Sequence, residues 1–525
     1  MTPKKEAVFT ECFNPAIGEK IGTSALHSSK DLKIAIEKAR SAQRTWADFT
    51  VKERTERIKR IRNFLIDHTD ELVSTIAEDT GKSPTDALST EIIPSVMAVN
   101  YYCRNAKRFL KDQIIGAGNI ALCFKRTKII RVPFGVIGII SPWNYPFSIP
   151  FSEVIMGLLA GNAVILKTST ETQMVGLALK ETIHSADLPE GLFAFLNIPG
   201  GIAGDAFLEN GIDKLFFTGS MATGKYLMGK ASTTLTPICL ELGGNDAMLV
   251  CEDADLDRAA AGAVWAGFQN AAQSCAEVER IYVHGKVYDT FIEKLGKRTE
   301  SLRVGYDLNH QMDMGCMTTL PQVHKVMEHV DDAVSKGAKV YAKSPAPEES
   351  WPNHFLPAVV LTDVNHEMKV MKEETFGPVI GVMRVRDMDE AMELANDSEL
   401  GLTGSVWSRN RAKGGKIARQ IQAGTVTLND HLMSHGLAEA PWGGFKRSGF
   451  GRTHGRLGFD EMTQPQTLVT DIMPFIKRDL WWYPFDKRLY QGLQGMAQVL
   501  YGKGMNSRLR GLIKLGKILP RMFKT

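Results

Sequence analysis

An α/β fold built on two parallel sheets is predicted by three features of the chain. First, short and almost wholly apolar runs recur from Gly135 onward: "GVIGIISP", "AVILK", "LFAFLNI", "KLFFTG", "PICLEL" and "DAMLV". Second, these runs alternate with stretches that place apolar residues at helical spacing. Strands of a parallel sheet are covered by helices on both faces, so they lack the polar alternation of a half-exposed strand. Third, a second series follows between about residues 255 and 430, at "RIYV", "PVIGVMRV", "GSVWS" and "GTVTLN". Two α/β domains result, joined near Glu241 to Asn245. A length of 525 residues accommodates two or three domains of ordinary size.

The first 113 residues read as a short strand region and then long helices. "KERTERIKRIRNFLIDHTDELVSTIAEDTGK" keeps three- and four-residue apolar spacing and ends on Gly81, a suitable helix C-cap. Residues 114–133, "IIGAGNIALCFKRTKIIRVP", read as a projecting hairpin. Hydrophobic and charged contents of 44% and 23% are those of a folded globular chain and exclude a disordered one. The amino-terminal twenty residues lack the apolar core of a signal peptide, and no run approaches the roughly 18 apolar residues of a membrane span. The seven cysteines (12, 103, 123, 239, 251, 275 and 316) are odd in number, scattered and never spaced CxxC. That pattern argues for a reducing cytoplasm and against a disulfide framework or a metal site. The net charge of +4 is uneven: nine Lys/Arg face two Asp/Glu between Asp479 and Thr525. A basic tail on a near-neutral body suggests an interaction appendage, not a protein that wraps nucleic acid.

Several short motifs carry chemistry. "FQNAAQSCAEVERIYV" sets Cys275 among small and amide-bearing residues before a strand, where it could be filler, ligand or nucleophile. "FFTGSMATGK" runs from a strand end through Gly219 to a helix start at Ser220, where backbone N–H groups could receive phosphate oxygens; an ordinary strand–turn–helix would look the same. In "ISPWNYPF", Trp143 and Tyr145 offer flat apolar surface and the Asn144 amide can donate to a developing oxyanion. "LKTST" ends a strand on Lys167, suited to a ribose or phosphate. "LELGGND" puts Glu241 at a strand end, a candidate base with a raised pKa or else a paired structural glutamate.

Taken singly, each motif has a bland explanation. Their order does not: "PWNYPF", "LK", "FTGS", "LELGG", "FQNAAQSC", "EETFGPV", "NDSELGLTGSVWS" and "PWGGFKRSGFGR" together resemble the signature series of the aldehyde dehydrogenase superfamily, over about residues 10 to 470. The resemblance implies an aldehyde dehydrogenase-like fold of two Rossmann-like domains with a small β oligomerisation element. It divides the chain into a cofactor-binding domain (1–113 and 134–242), a catalytic domain (243–436) and oligomerisation strands (114–133 and 463–472); beyond them, charge and apolar spacing mark a basic amphipathic extension (473–525). It implies NAD or NADP as cofactor, an aldehyde as substrate and a homodimer or homotetramer.

By the same resemblance Cys275 matches the nucleophile, which adds as a thiolate to the aldehyde carbonyl. Asn144 and the Cys275 N–H match the oxyanion donors. Glu241 matches the base that activates water to hydrolyse the thioester, which favours a free carboxylate over transfer to coenzyme A. Glu374 and Phe376 match residues at the nicotinamide ribose, Lys167 one at the adenosine ribose, and Trp143 and Ser220 contacts near the pyrophosphate. Ile140, Ser141, Pro142, Ser169, Thr170, Gly219 and Leu242 complete the implied cofactor lining. The rivals are a coenzyme A-acylating relative, a semialdehyde dehydrogenase that uses phosphate, and a scaffold that keeps the fold without catalysis.

The chain departs from the common pattern at three places. Alanine stands at Ala272, where "GQxC" has glycine; a lysine common on the helix after "PWNYPF" is Glu153; and the glutamate common three residues after the cofactor lysine is Thr170. Loss of that carboxylate removes repulsion of a 2′-phosphate, so NADP should be tolerated with NAD still usable. Tyr145, Phe151 and Phe268 as pocket residues suggest an apolar or aromatic aldehyde. In the tail, Leu489, Leu493, Met496 and Leu500 share one helical stripe, while Leu509, Leu512, Ile513 and Leu519 interleave with Arg508, Arg510, Lys514, Lys517 and Arg521. Beside Trp481, Trp482 and Tyr483 this reads either as an extension docked on protein or as a peripheral helix on an anionic membrane surface.

Overall fold

The computed structural model describes residues 8–345 and 353–524. Residues 1–7, part of the segment searched above for a signal peptide, lie outside the described residues. The chain forms two compact units.

The larger unit runs through Leu110 and resumes over Pro133–Gln464. One of its sheets has six strands in the order Gly449–Phe450, Ile238–Glu241, Lys214–Thr218, Val136–Ile140, Ala163–Lys167 and Phe193–Phe195. The other has seven, in the order Lys339–Lys343, Val359–Thr362, Val379–Val385, Val278–His284, Asp246–Val250, Thr403–Trp407 and Thr425–Leu428. Both are parallel except at one edge: Gly449–Phe450 runs antiparallel to Ile238–Glu241, and Lys339–Lys343 antiparallel to Val359–Thr362. These two edge strands and Val359–Thr362 escape the sequence reading because they are short or exposed, "KVYAK" leaving only Ala342 buried. The central strands, Val136–Ile140, Ala163–Lys167 and Asp246–Val250, are buried at every residue, as strands covered on both faces must be.

The long amphipathic stretch after Thr50 forms two helices. Thr50 and Glu53 form a capping box that starts Val51–Asp67, the chain breaks at His68, and Thr69–Thr80 then ends on Gly81 at φ +80°, the cap that the sequence predicts. Between the sheets the chain crosses at Gly243 and Gly244. Asp246 fixes the landing by accepting hydrogen bonds from Thr403 N (2.9 Å) and Thr403 Oγ1 (2.6 Å). Arg280, fully buried, donates to Asn245 O through Nε (3.0 Å) and Nη2 (2.6 Å).

The smaller unit comprises Lys111–Val132 and Pro465–Thr525. Its sheet orders Thr463–Asp471, Lys125–Pro133 and Gln113–Ile115, the last two antiparallel. Phe124, Leu480, Leu489, Ile518 and Met522 form its core. Helices Lys487–Tyr501 and Met505–Gly516 make a hairpin whose closest approach is at Gly495 and Gly511. A Cβ on either would lie 2.6 Å from the other's carbonyl oxygen. Leu489 faces inward (2% exposed), whereas Met505, Leu509, Leu512 and Ile513 form an outward stripe, each 58% exposed or more.

Candidate active site

Four strand ends of the first sheet lie side by side. Ile140 pairs in register with Lys167 and Phe217, and Thr218 with Glu241. The loops that follow therefore carry Ser141–Asn144, Thr168–Thr170, Gly219–Ser220 and Leu242–Gly243 to one edge, the carboxyl edge where parallel sheets bind ligands. A cleft there is lined by Pro142, Trp143, Gly219, Ser220, Leu242, Gln322, Lys325, Glu374 and Phe376, and it reaches Asn144, Glu241 and Cys275. Ile140, Ser141, Lys167, Ser169 and Thr170 sit on the same edge but do not line this cleft.

The cleft's far wall is held by hydrogen bonds that no motif announces. Phe376 has φ +57°, and Glu279 Oε1 fixes it by accepting from Thr375 N (2.6 Å) and Phe376 N (3.0 Å). Its ring meets Trp143 edge-on at 5.7 Å. Lys325 Nζ donates to Glu374 O at 2.6 Å, and Gln322 Nε2 to Thr375 O at 2.8 Å. Their three-residue spacing on helix Leu320–Ser335 is the one signal that could have found them. Glu374 Oε1 accepts from Gly244 N at 2.9 Å; burial, with Glu279 nearby, still pushes its carboxyl up to about 7.

The cysteine loop is the most constrained segment. Asn270, Ala271 and Ala272 are all left-handed, at φ +56°, +52° and +57°. Such a run costs free energy in L-residues and persists only where neighbours over-determine it. Asn270 N donates to Asp86 Oδ2 (3.1 Å) and Asn270 Nδ2 to Asn144 O (3.1 Å). Gln273 Nε2 donates to Asn270 O (3.0 Å), and Gln273 Oε1 accepts from Thr318 N (2.8 Å). Asn144 Nδ2 donates to Gln273 O at 2.9 Å, which leaves its second amide hydrogen uncommitted. On the other side, Lys82 and Glu91 form an ion pair at 2.5 Å whose side chains are both 0% exposed. Lys82 Nζ also donates to Asn144 O (2.9 Å), and Glu91 Oε2 accepts from Phe147 N (2.8 Å) and Ser148 N (3.2 Å).

Cys275 lies where three spaces meet: the cleft, a smaller cavity shared with Glu241, and a pocket lined by Tyr145, Ile149, Trp265, Ala276, Leu432 and Trp442. Burial, and then the carboxylates of Glu374, Asp246 and Glu241, push its thiol far above the ordinary range, while its own backbone N–H favours the thiolate. Both Glu241 oxygens are buried without a hydrogen-bond partner among the described residues; burial first and Glu153 second raise its pKa well above that of a free glutamate. Of the aromatic residues expected in the pocket, only Tyr145 lines it, its hydroxyl donating to Gln269 Oε1 at 2.7 Å. Phe151 is fully buried against Phe147, and Phe268 borders a separate cleft, so both are corrections to the sequence reading.

The cleft suits a dinucleotide. Ser220 caps helix Met221–Thr234, whose N-terminus favours a pyrophosphate, and on the same sheet edge the buried Ser141 Oγ has no partner among the described residues. Gly243 leaves open a position where a Cβ would meet the Glu374 carboxylate at 2.5 Å. Lys167 at the neighbouring strand end has its pKa lowered to about 8 by burial, partly offset by Glu171. A thiol, a carboxylate and an amide donor converging on the end of such a cleft define a dinucleotide-linked oxidoreductase that acts on carbonyl carbon.

That class narrows to one family. The chain belongs to the aldehyde dehydrogenase family, whose sequence model matches residues 2–468. It is 38% identical over 490 residues to 4,4′-diapolycopene aldehyde oxidase of Methylomonas sp., covering 93% of this chain and 91% of that one. It is 39% identical over 454 residues (86% and 87%) to a Mycobacterium ulcerans protein that carries the name succinate-semialdehyde dehydrogenase (NADP) 2. A Bacillus cereus aldehyde dehydrogenase solved with NAD+ superposes with a TM-score of 0.84 at 31% identity, over 89% of this chain and 94% of that one. The chain is an NAD(P)-dependent aldehyde dehydrogenase that oxidises an aldehyde to the carboxylic acid.

Proposed function

We propose that Cys275, Asn144 and Glu241 carry the reaction and that the substrate is an apolar aldehyde. The observation that supports the reading is that Cys275 and Glu241 line shared space, at the end of the cleft proposed here for the cofactor. The Cys275 thiolate adds to the carbonyl carbon. The oxygen takes the charge and is held by the free Asn144 amide hydrogen and the Cys275 N–H, each such donor being worth about 3 kcal/mol. Bound NAD(P) supplies the hydride acceptor, and a thioester to Cys275 remains. Glu241 then takes a proton from water as hydroxide adds to the thioester, the C–S bond breaks and the acid departs. With Glu241→Gln, a stopped-flow burst of NADH should persist while steady-state turnover falls at least a hundredfold; turnover undiminished in that variant refutes the role. Cys275→Ala should abolish the burst.

The pocket's lining supports the substrate class. It contains no Arg or Lys, and burial holds its His435 neutral by lowering the pKa to about 4. A substrate carboxylate would find neutral donors there, such as Ser89, Thr90 and Gln269, but no cation among the described residues to balance its charge. In a panel of aldehydes, kcat/KM should favour apolar or aromatic members over ω-carboxyl ones; a preference for succinate semialdehyde overturns this. Thr170, half-buried on the turn after Lys167, supports use of NADP beside NAD. A preference for NAD above a thousandfold would end that reading.

Two features of the smaller unit support association. Strand Thr463–Asp471 lies at the edge of its sheet with Leu468 and Val469 exposed, which suits pairing with a second copy in a dimer or dimer of dimers; light scattering at micromolar concentration tests it. The outward stripe of Met505, Leu509, Leu512 and Ile513 is flanked by exposed Arg508, Arg510 and Lys517, with Trp482 and Tyr483 also exposed. This suits an anionic lipid surface, each basic residue contributing about 1 kcal/mol. Sedimentation with anionic but not zwitterionic vesicles, lost in Arg508→Glu/Arg510→Glu, is expected; equal sedimentation with both vesicles refutes it.

A further inference from the structure

Hydrolysis leaves a proton on Glu241, and that proton must leave before the next cycle. The cavity beside Glu241 and Cys275 is lined by Ser152, Glu153, His435, Thr453 and His454 and, at about 20 Å³, has room for a single water molecule. Its titratable members differ sharply. His435 is a weak base, His454 weaker still, each made so by burial. Glu153, on the wholly buried helix Ser148–Leu159, is 4% exposed, and no hydrogen bond from a described residue reaches its carboxyl. Unlike the sealed oxygens of Glu241, those of Glu153 keep some accessible surface, and the residue lines the cavity that Glu241 borders, so a nearly buried carboxyl stands beside the base with room for water between.

Resting on the roles proposed above, we infer that Glu153 is the relay that takes the proton from Glu241 and returns it to the base form. As hydroxide adds to the thioester carbon, the water's other proton goes to Glu241. The C–S bond breaks with its electron pair on Cys275, and the product leaves as the acid. Glu153, neutral while Glu241 is the charged base, gives its own proton to solvent; the Glu241 proton then passes through the cavity water to the Glu153 carboxylate so formed, one proton leaving per turnover. The two carboxyls thus share one negative charge in the competent state. Burial pushes Glu153 up to about 8, and the charge of each carboxyl resists ionisation of the other. Other groups acting on this region are Cys239, Tyr102, Glu439, Arg452, and Glu461, itself paired with Lys214. Arg452 favours the Glu241 carboxylate and Glu461 opposes it.

The test compares the full-length enzyme with Glu153→Gln and Glu153→Leu by stopped flow and steady state from pH 6 to 10. The NADH burst should keep its amplitude, because acylation does not need the relay. The post-burst rate should fall at least tenfold. In Glu153→Gln its alkaline-rising limb should move to lower pH, since Glu241 then titrates without a like-charged neighbour. A post-burst rate and pH profile within twofold of wild type in the folded variants would overturn the relay. Should Gln prevent folding, the apolar Leu variant decides by the same rate. A burst that survives in Cys275→Ala would instead strike at the nucleophile assignment, so the two failures are distinguishable.

Discussion

Removing Lys82 should loosen from behind the segment proposed to hold the oxyanion, without touching a proposed reacting atom. Lys82 and Glu91 have no exposed side-chain surface, and between them they hold Asn144 O, Phe147 N and Ser148 N. In Lys82→Met the Glu91 charge stays buried, with two backbone N–H groups as its remaining partners. Breaking one side of a buried pair costs about 3–5 kcal/mol, whereas replacing both sides often costs little. At about 1.4 kcal/mol per decade, the open population of residues 144–148 should rise a hundredfold or more in Lys82→Met. Glu91→Gln combined with Lys82→Met removes the orphaned charge and keeps an acceptor for the two N–H groups, so most of the loss should return. Hydrogen exchange of the Phe147 and Ser148 amides measures the opening, and burst kinetics its cost to acylation, where misplacement by about 1 Å can cost a hundredfold. Exchange and burst rate in Lys82→Met within twofold of wild type would refute the argument, as would a double variant worse than the single one.

Ala272→Gly should relieve a left-handed alanine, a strain of roughly 1 kcal/mol, and slow loop exchange without abolishing the burst; lower stability in this variant would mean that the methyl's packing outweighs its strain. The Asp79 carboxyl, buried on helix Thr69–Thr80 and accepting from Val175 N at 2.9 Å, is pushed up to about 7 by burial. An acid whose folded pKa is raised contributes stability that is complete below its unfolded value, about 4, and is lost as pH rises to about 7. Asp79→Asn should therefore flatten the decline in thermal stability between pH 4 and 7; an unchanged slope counts against it.

The sequence discloses those parts of the site where chemistry restricts the residue type. Glu241 follows a buried strand and Ser220 a strand–glycine turn, and each could be placed by the apolar run before it. The supports were hidden for physical reasons. Lys82 and Glu91 resemble any charged residues on helices until tertiary packing buries both. Gln273 anchors the Cys275 loop through Thr318, 45 positions away in the chain. The pocket reading failed at Phe151 because helix Ser148–Leu159 is buried on every side, so apolar spacing cannot tell a face toward ligand from one toward core. Tail residues such as Leu489 and Leu509 both look amphipathic, yet one faces inward and the other outward; periodicity fixes a face but not its surroundings.

Because Cys275 borders three distinct spaces, the sulfur can be approached from directions that need not be open at once. On the proposed assignment a hydrophobic molecule lodged near Trp265 and Leu432 would bar fresh aldehyde while the dinucleotide stayed in place. Inhibition of that kind should remain when the coenzyme is saturating and yield only to excess aldehyde, so on the same assignment the corridor beside Trp265 and Leu432 is where one aldehyde would be told from another.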